Sequence, residues 1–170
     1  MIFQQENFIP NLDYILPSLH KLKLYKNEEF TNKSKSCSWP GLRSQSLTET
    51  EPFFVNHLSD LLANLPILKN TKFQIAVYTH LRLKEDESKD WIHKDNKFYN
   101  ISGLVYLNET NYNSGTLFYD DNENVINDVK YVKNRIVLFD GNYFHKGYGY
   151  YGDEAKNGRY TLNLFIKKEK

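Results

Sequence analysis

The sequence predicts a mainly β protein with N-terminal helices, built as a β-sandwich or jelly roll. Residues 1–70 show helical spacing of apolar side chains, whereas from residue 72 onward the apolar period changes towards two. Seven or eight short strands then follow one another between turn residues, without the helices that βαβ units require. The 13 tyrosines and 11 phenylalanines among 170 residues also favour β structure.

Size and composition indicate one domain, residues 1–170, with residues 1–70 as a helical support region and residues 71–170 as the β core. The net charge of +1 gives no electrostatic argument for a nucleic-acid or membrane-surface partner. No apolar run is long enough to cross a membrane and no signal peptide is evident, so we expect a cytoplasmic protein. The single cysteine, Cys37, excludes an internal disulfide, fits a reducing interior, and is expected to be an incidental thiol.

Two helical segments are predicted in the first part. Apolar residues recur at helical spacing in residues 11–25, but Pro17 interrupts them, which favours two short helices or one kinked helix. Residues 26–38 are polar and read as a loop. A second helix follows, with Thr48 and Glu51 at capping-box spacing, Pro52 in the first turn, and Pro66 as its end. We expect the helices to cover one face of a sheet.

The predicted strands occupy the rest of the chain. A charged loop at residues 82–90 and a short extended segment at residues 91–95 interrupt them. The strand segments are residues 73–78, 101–107, 115–119, 129–132 (the weakest), 136–139 and 160–166.

Three residues form a candidate metal site. His93 and Asp95 are two apart, so on an extended segment both side chains point to the same face. His145 follows an apolar strand and its turn, and must arrive from a different strand. Two imidazoles and one carboxylate suit Fe(II) and leave coordination positions open for chemistry, although Zn²⁺ also binds such a set.

An arginine and two tyrosines supply a candidate ligand site. Arg159 opens an apolar strand, where a guanidinium is costly unless it is paired, and its planar fork suits a carboxylate. Tyr106 ends the strand after the His-X-Asp motif and is positioned to share that carboxylate. Tyr78 precedes the motif and is a candidate contact for the other end of the same ligand.

Residues 73–166 resemble the 2-oxoglutarate/Fe(II)-dependent dioxygenases, and within them the prolyl-hydroxylase-like branch. The N-terminal segments NFIP (7–10) and WPGLR (39–43) resemble, more loosely, an uncharacterised putative oxygenase family of phages and marine bacteria. The segments that carry the main resemblance are, in order, WIHKD (91–95), SGLVYLN (102–108), SGTLF (114–118), RIVLFD (135–140), FHKG (144–147) and RYTLN (159–163).

The resemblance implies a double-stranded β-helix, or jelly roll, with His93, Asp95 and His145 as iron ligands. It implies that Arg159 binds the distal carboxylate of 2-oxoglutarate, that Tyr106 assists, and that Tyr78 lies near the metal-chelating end. The implied reaction uses Fe(II), 2-oxoglutarate and O2 to hydroxylate a C–H bond, with succinate and CO2 as co-products. A peptidyl or free amino acid is the expected substrate, with proline favoured; a small metabolite or a nucleobase is the alternative.

Two other classes of function stay open. One is a β-helix module that keeps a ligand site but performs no oxidation, and the other is a zinc hydrolase built on the same three ligands. One feature departs from the family, because Arg159 follows His145 by 14 residues, a few more than usual. Residues 148–158 are therefore predicted to form an extended hairpin turn near the site and, with residues 84–90, to contact the substrate.

Overall fold

Ten strands and three helices make up the part of the chain that the computed structural model describes, residues 1–30, 39–95 and 97–169. The strands form two antiparallel sheets, which confirms the mainly β class and the jelly-roll architecture. The larger sheet has the order β1 (Ile2–Gln5), β8 (Ile136–Asp140), β5 (Ile101–Tyr106), β10 (Arg159–Lys168), β4 (Phe73–Arg82), β3 (Leu42–Ser44), β2 (Leu24–Lys26). The smaller sheet has the order β7 (Val125–Tyr131), β6 (Asn111–Tyr119), β9 (Phe144–Tyr148).

The outer face of the larger sheet packs against the helices, as predicted. The helices are α1 (Leu12–Leu19), α2 (Leu47–Thr50) and α3 (Pro52–Ala63). Because side chains alternate along a strand, every second residue of the central strands points to this face. The core between them is built from apolar side chains of both layers, among them Leu16, Leu58 and Leu62 from the helices and Val77, Val105, Leu138, Leu162 and Leu164 from the strands.

The inner face of the larger sheet packs against the smaller sheet and forms a second core. This core is smaller and more aromatic, and it consists of Leu104, Tyr106, Phe118, Val129, Tyr131, Val137 and Phe139. The central strand β5 contributes to both cores, which explains why all its residues are buried. The inner face beyond this core carries polar side chains, and these line the candidate site.

The first helical prediction is too long. A single helix, α1, contains Pro17 and ends at Leu19, and β2 begins at Leu24. Leu22 and Leu24 still pack against the main core, but from a turn and a strand. Their apolar spacing therefore reflects burial against the core, and it does not mark a continuous helix.

The second helix is divided at Glu51, and the predicted capping box is wrong. Glu51 has φ −132° and ψ 54°, outside the helical region, because the residue before a proline is disfavoured there. Thr48 therefore lies inside α2, where its hydroxyl donates to the Ile75 carbonyl at 3.4 Å. Pro52 begins α3 as predicted, and the helix ends at Ala63, before Pro66.

The six predicted strand segments are present, and the predicted extended segment at residues 91–95 forms an isolated bridge, His93 to His145, instead of a strand. Four other strands were missed. These are β1, β2, β3 and β9, of three to five residues each, too short for a readable alternation. Residues 1–70 are thus not purely helical, since three of these strands extend the larger sheet. The charged loop contains a 3₁₀ helix, Lys84–Lys89, and the predicted loop at residues 26–38 begins with another, Asn27–Glu29.

The predicted loop at residues 26–38 lies partly outside the described residues. Residues 31–38 are not described, and Cys37, the predicted incidental thiol, is one of them. Within the described ranges, no helix has both the length and the apolar character needed to cross a membrane.

Candidate metal centre

His93, Asp95 and His145 come together at one point of the inner face. Each offers one ligand atom, and these three atoms lie within 4.8 Å of one another. The His145 Nε2 is 3.6 Å from Asp95 Oδ2, and the ring centroids of the two histidines are 4.5 Å apart. The three residues that the sequence singled out therefore form a compact ligand set.

Backbone hydrogen bonds hold the three residues in register. His93 and His145 exchange both amide–carbonyl bonds, at 3.1 and 2.9 Å, as an isolated antiparallel bridge. The Asp95 amide donates to the Gly141 carbonyl at 3.2 Å, in the tight turn between β8 and β9. Asp140 fixes that turn by accepting from the Asn142 amide at 2.9 Å. The short extended segment thus docks onto β9 and its preceding turn.

Both histidines present the same ring nitrogen to the shared point. The Nδ1 of His93 donates to the Trp91 carbonyl and the Nδ1 of His145 donates to the Tyr143 carbonyl, each at 3.0 Å. A carbonyl only accepts, so each Nε2 keeps its lone pair, and such second bonds commonly orient metal-binding imidazoles. Burial, together with the charge of His93, lowers the pKa of His145, although Asp95 has the opposite effect. The lowered pKa favours the neutral imidazole, which is the form that binds a metal.

A cavity of 520 Å³ joins these three residues to Arg159. Its floor is the inner face of β10, where Arg159, Thr161, Asn163 and Phe165 follow at every second position. Trp39, Arg43 and Trp91 line it as well, and the Arg43 guanidinium stacks 4.3 Å above the Trp39 ring. The cavity therefore has a metal-ligand group, a buried guanidinium and an aromatic wall.

Arg159 is a buried cation with neutral partners. It is 5% exposed, and its Nη2 donates to the Gly115 carbonyl at 3.1 Å and to Thr116 Oγ1 at 3.2 Å. Its Nε has no hydrogen-bond partner, and no carboxylate among the described residues forms an ion pair with it. A buried guanidinium is costly unless it is paired, so Arg159 is a candidate for binding an anion.

The two predicted tyrosines lie near the cavity but do not line it. Tyr106 is fully buried, shares a 2.9 Å hydrogen bond with Thr116 Oγ1, and donates to the Val129 carbonyl at 3.2 Å. Tyr78 packs edge-on against Phe165 and lies 5.6 Å below the Arg43 guanidinium. Each tyrosine therefore reaches the cavity through a residue that lines it: Thr116 for Tyr106, and Phe165 and Arg43 for Tyr78.

Three lining residues beside Arg159 were not singled out from the sequence. Arg82, on β4, lies opposite Arg159 and forms an ion pair of 3.3 Å with Asp90, with both side chains almost fully buried. Tyr150 lies 4.2 Å from the Arg82 guanidinium and donates to Asp90. Tyr78, His80 and Arg82 occupy every second position of β4 and therefore point to the same face. This spacing could have identified Arg82 from the sequence. Tyr150 lies in a loop, where no periodicity marks it.

No protein-family profile and no curated protein matches the chain. Solved structures do match. A prolyl-4-hydroxylase of Pseudomonas putida is 14% identical with a TM-score of 0.55, covering 99% of this chain and 93% of that one.

Two further structures give the same result. An oxidoreductase of the 2OG-Fe(II) oxygenase family from Burkholderia pseudomallei is 11% identical with a TM-score of 0.63, covering 98% of this chain and 84% of that one. A prolyl hydroxylase from Trichoplax adhaerens, in complex with a hypoxia-inducible-factor peptide fragment, is 12% identical with a TM-score of 0.61, covering 98% and 83%. At such identities the likeness shows the fold alone, which is the jelly roll of these oxygenases.

Proposed function

We propose that this chain is an Fe(II)- and 2-oxoglutarate-dependent dioxygenase, with His93, Asp95 and His145 as the iron ligands. The observation that carries the proposal is a single cavity, with the three ligand atoms at one place and the buried, anion-seeking Arg159 at another. A co-substrate that chelates a metal at one end and carries a carboxylate at the other matches both groups at once.

The charge of the ligand set supports this assignment. Two neutral imidazoles and one carboxylate leave a net charge of about +1 on a divalent ion, which favours a chelating dianion. Three protein ligands also leave coordination positions open. The Nδ1 hydrogen bonds to Trp91 and Tyr143 keep both imidazoles turned towards the ion.

The residues of the chain have binding and orienting roles in this reaction. Bound Fe(II) supplies the activation of O2, driven by oxidative decarboxylation of the 2-oxo acid: one oxygen atom enters succinate, the other forms the substrate hydroxyl, and CO2 leaves. Arg159 binds the distal carboxylate through a charge-assisted pair and so fixes the position of the chelating end. The low exposure of Arg159 and His145 limits the access of water.

The two tyrosines take indirect roles in this proposal. Tyr106 acts through Thr116, whose hydroxyl oxygen contacts both the phenol and the Arg159 guanidinium. It therefore positions the guanidinium and does not touch the co-substrate. Tyr78 supports the wall near the chelating end through its contacts with Phe165 and Arg43.

A peptidyl or free amino acid is the substrate that we propose, with proline favoured. Two of the three similar structures are prolyl hydroxylases, and one of those was solved with a peptide fragment. Trp39, Trp91 and Arg43 line the cavity and offer aromatic and cationic contacts to such a substrate. A small metabolite or a nucleobase is the alternative within the class. A cytoplasmic location belongs to the same proposal, because a reducing interior keeps iron in the Fe(II) state.

Anaerobic titration tests the proposal. Fe(II) and 2-oxoglutarate, added to the protein without O2, should produce a visible metal-to-ligand charge-transfer band, and His93→Ala or Asp95→Ala should abolish it. Folded protein that binds no Fe(II) and gives no band contradicts the oxygenase assignment. Binding of 2-oxoglutarate without any metal would favour the non-catalytic module, and exclusive binding of Zn²⁺ would favour the hydrolase.

A further inference from the structure

A cluster of three side chains borders Arg159, and we call Arg82, Asp90 and Tyr150 the distal cluster. All three line the same cavity as Arg159. The Tyr150 ring lies between two guanidiniums, 4.2 Å from that of Arg82 and 5.5 Å from that of Arg159. Asp90 already neutralises Arg82, so Arg159 is the guanidinium of the two that has no carboxylate partner among the described residues.

Tyr150 is fixed in this position from several directions. Its hydroxyl donates to Asp90, and its amide donates to Glu87 Oε2 at 2.7 Å. The preceding amide, of Gly149, donates to Glu87 Oε1 at 3.2 Å. Only 7% of Tyr150 is exposed. Burial and the Asp90 carboxylate raise the pKa of its phenol, which therefore stays neutral.

The loop that carries Tyr150, residues 149–158, is internally braced. Gly149 and Gly152 adopt φ +63° and +75°, and a Cβ on Gly149 would lie 2.0 Å from the Asn113 carbonyl oxygen. The Asn157 side chain accepts from two loop amides, and the Asn108 side chain donates to the carbonyls of Ala155 and Gly158. These are the additional residues that separate Arg159 from His145, and they hold Tyr150 rigidly.

Gly147 shows that Tyr150 occupies the space beside the Arg159 fork. A Cβ on Gly147 would lie 2.6 Å from the Tyr150 hydroxyl and 3.3 Å from Arg159 Nη2. Both groups therefore pack against the same small volume beside the backbone of Gly147, which the Tyr150 hydroxyl occupies because residue 147 has no side chain.

The strand pairing gives the direction from the metal ligands to this volume. On β6 and β9, Phe118 pairs with His145, and two residues further along Thr116 pairs with Gly147. Thr116 contacts Arg159, so the step from His145 to Gly147 leads from the metal group to the guanidinium. Two residues of a strand span about 7 Å, comparable to the length of a five-carbon dicarboxylate.

We propose that Tyr150 closes the distal end of the co-substrate pocket and sets the length of the 2-oxo dicarboxylate that the protein accepts. The inference rests on the proposed function, because it assumes that a 2-oxo acid spans the metal group and Arg159. A ligand one methylene longer must displace the Tyr150 ring or hydroxyl. Asp90, Arg82 and Glu87 hold that side chain and oppose its displacement.

Affinities for two acids of different length test this role. The dissociation constants of 2-oxoglutarate and 2-oxoadipate are measured by anaerobic calorimetry on the Fe(II)-loaded protein, which requires no turnover. The wild type should prefer 2-oxoglutarate by at least about tenfold, the usual discrimination for one methylene. Tyr150→Ala and Tyr150→Leu should reduce that ratio about tenfold or more. Tyr150→Phe keeps the ring and should keep most of the ratio.

Controls separate this role from a structural one. Tyr112→Phe, at an exposed position, should leave both constants unchanged. Gly147→Ala should weaken 2-oxoglutarate binding about tenfold in the wild type, and should cost much less in the Tyr150→Leu background, where the hydroxyl that its Cβ meets is gone. Circular dichroism identifies variants that fail to fold, and Tyr150→Leu replaces Tyr150→Ala in that case.

The outcomes distinguish the two proposals. A wild type that binds 2-oxoglutarate, with an unchanged ratio in folded Tyr150→Ala and Tyr150→Leu, contradicts the role of Tyr150 and leaves the oxygenase assignment intact. A wild type that binds neither acid overturns both.

Discussion

Two buried arginines face each other across β4 and β10, and their different partners give them different roles. Arg82 is neutralised by Asp90, whereas Arg159 has carbonyl, hydroxyl and aromatic contacts and no ion pair among the described residues. Burying two like charges side by side is unfavourable unless each is compensated. One compensation is built into the chain, and we propose that a ligand supplies the other.

Arg159→Ala should therefore weaken 2-oxoglutarate binding while Fe(II) still binds. The loss of a charge-assisted fork is worth about 3 kcal/mol, which corresponds to roughly 100-fold in the dissociation constant. The charge-transfer titration measures it. Arg135→Ala, which breaks a pair with Glu6 away from the cavity, is the matched control and should leave the constant unchanged. Equal constants in wild type and Arg159→Ala would exclude the proposed role of Arg159.

His80 gives a pH dependence to stability. Its Nε2 donates to the Pro40 carbonyl at 2.8 Å, and burial, with the charges of Arg43 and Arg82, holds its pKa well below the usual value. In the unfolded chain His80 therefore takes up a proton near pH 6.5, whereas in the folded chain it stays neutral at that pH. This contribution to stability is complete above pH 6.5 and falls as the pH decreases below it.

Between pH 6.5 and 5.5, the wild type should lose about 1 kcal/mol of unfolding free energy through this group. His80→Gln keeps a donor for the Pro40 carbonyl but has no titrating group, so its unfolding free energy should fall by about 1 kcal/mol less than that of the wild type over the same interval. Urea unfolding at both pH values gives the comparison, and the other histidines cancel between the two proteins. Equal losses in the two proteins would show that His80 titrates normally in the folded state.

At the scale of elements, the long strands were predictable from the sequence, whereas the short strands and the break between α2 and α3 were not predicted. The apolar segments at residues 101–107 and 160–166 indicated β5 and β10, and with them the position of Arg159. Strands of three residues, such as β2 and β3, are set by pairing, β2 with β3 and β3 with β4, and not by their own pattern. The break at Glu51 follows from Pro52 and could have been predicted; the capping-box spacing concealed it.

The candidate metal ligands were identifiable because chemistry restricts such ligands to few residue types. The distal cluster was not, because Arg82, Asp90 and Tyr150 come from a strand end and two loops that only the tertiary structure brings together. No local pattern encodes such a meeting. Residues 148–158 were predicted to form a hairpin turn from their glycines and tyrosines, whereas the role that we propose for Tyr150 depends on the hydrogen bonds that Glu87 and Asn108 form with this loop.

Helix α3 offers a direct test of the outer core. Leu58 is fully buried against the sheet, whereas Phe53, on the same helix, is 89% exposed. Leu58→Ala should reduce the free energy of unfolding by about 2–5 kcal/mol through lost burial and a cavity. Phe53→Ala should change it by less than about 0.5 kcal/mol. Denaturant unfolding of the two variants measures this, and a similar loss in both would mean that α3 does not pack as described.

At the scale of the whole molecule, the two sheets meet at the candidate metal ligands. His145 lies on β9 of the smaller sheet, while His93 and Asp95 belong to the segment that leads into β5 of the larger sheet. Within the described residues this junction is held by few hydrogen bonds, those of His93 with His145 and of Asp95 with Gly141. An ion bound to all three side chains would cross-link the junction, so metal binding and global stability should be coupled.

Fe(II) added anaerobically at about 100 times its dissociation constant should stabilise the fold by about 2.7 kcal/mol, because it binds the folded chain and not the unfolded one. For a domain of this size, that corresponds to a rise in Tm of about 5–10 °C, measured by thermal unfolding. A chelator should reverse the rise, and His93→Ala should show little of it. Mn²⁺, which prefers similar ligands and resists oxidation, should give a smaller rise of the same origin. An equal rise in Tm in the wild type and in His93→Ala would mean that the ion binds at another site. Metal binding would then not stabilise the junction of the two sheets.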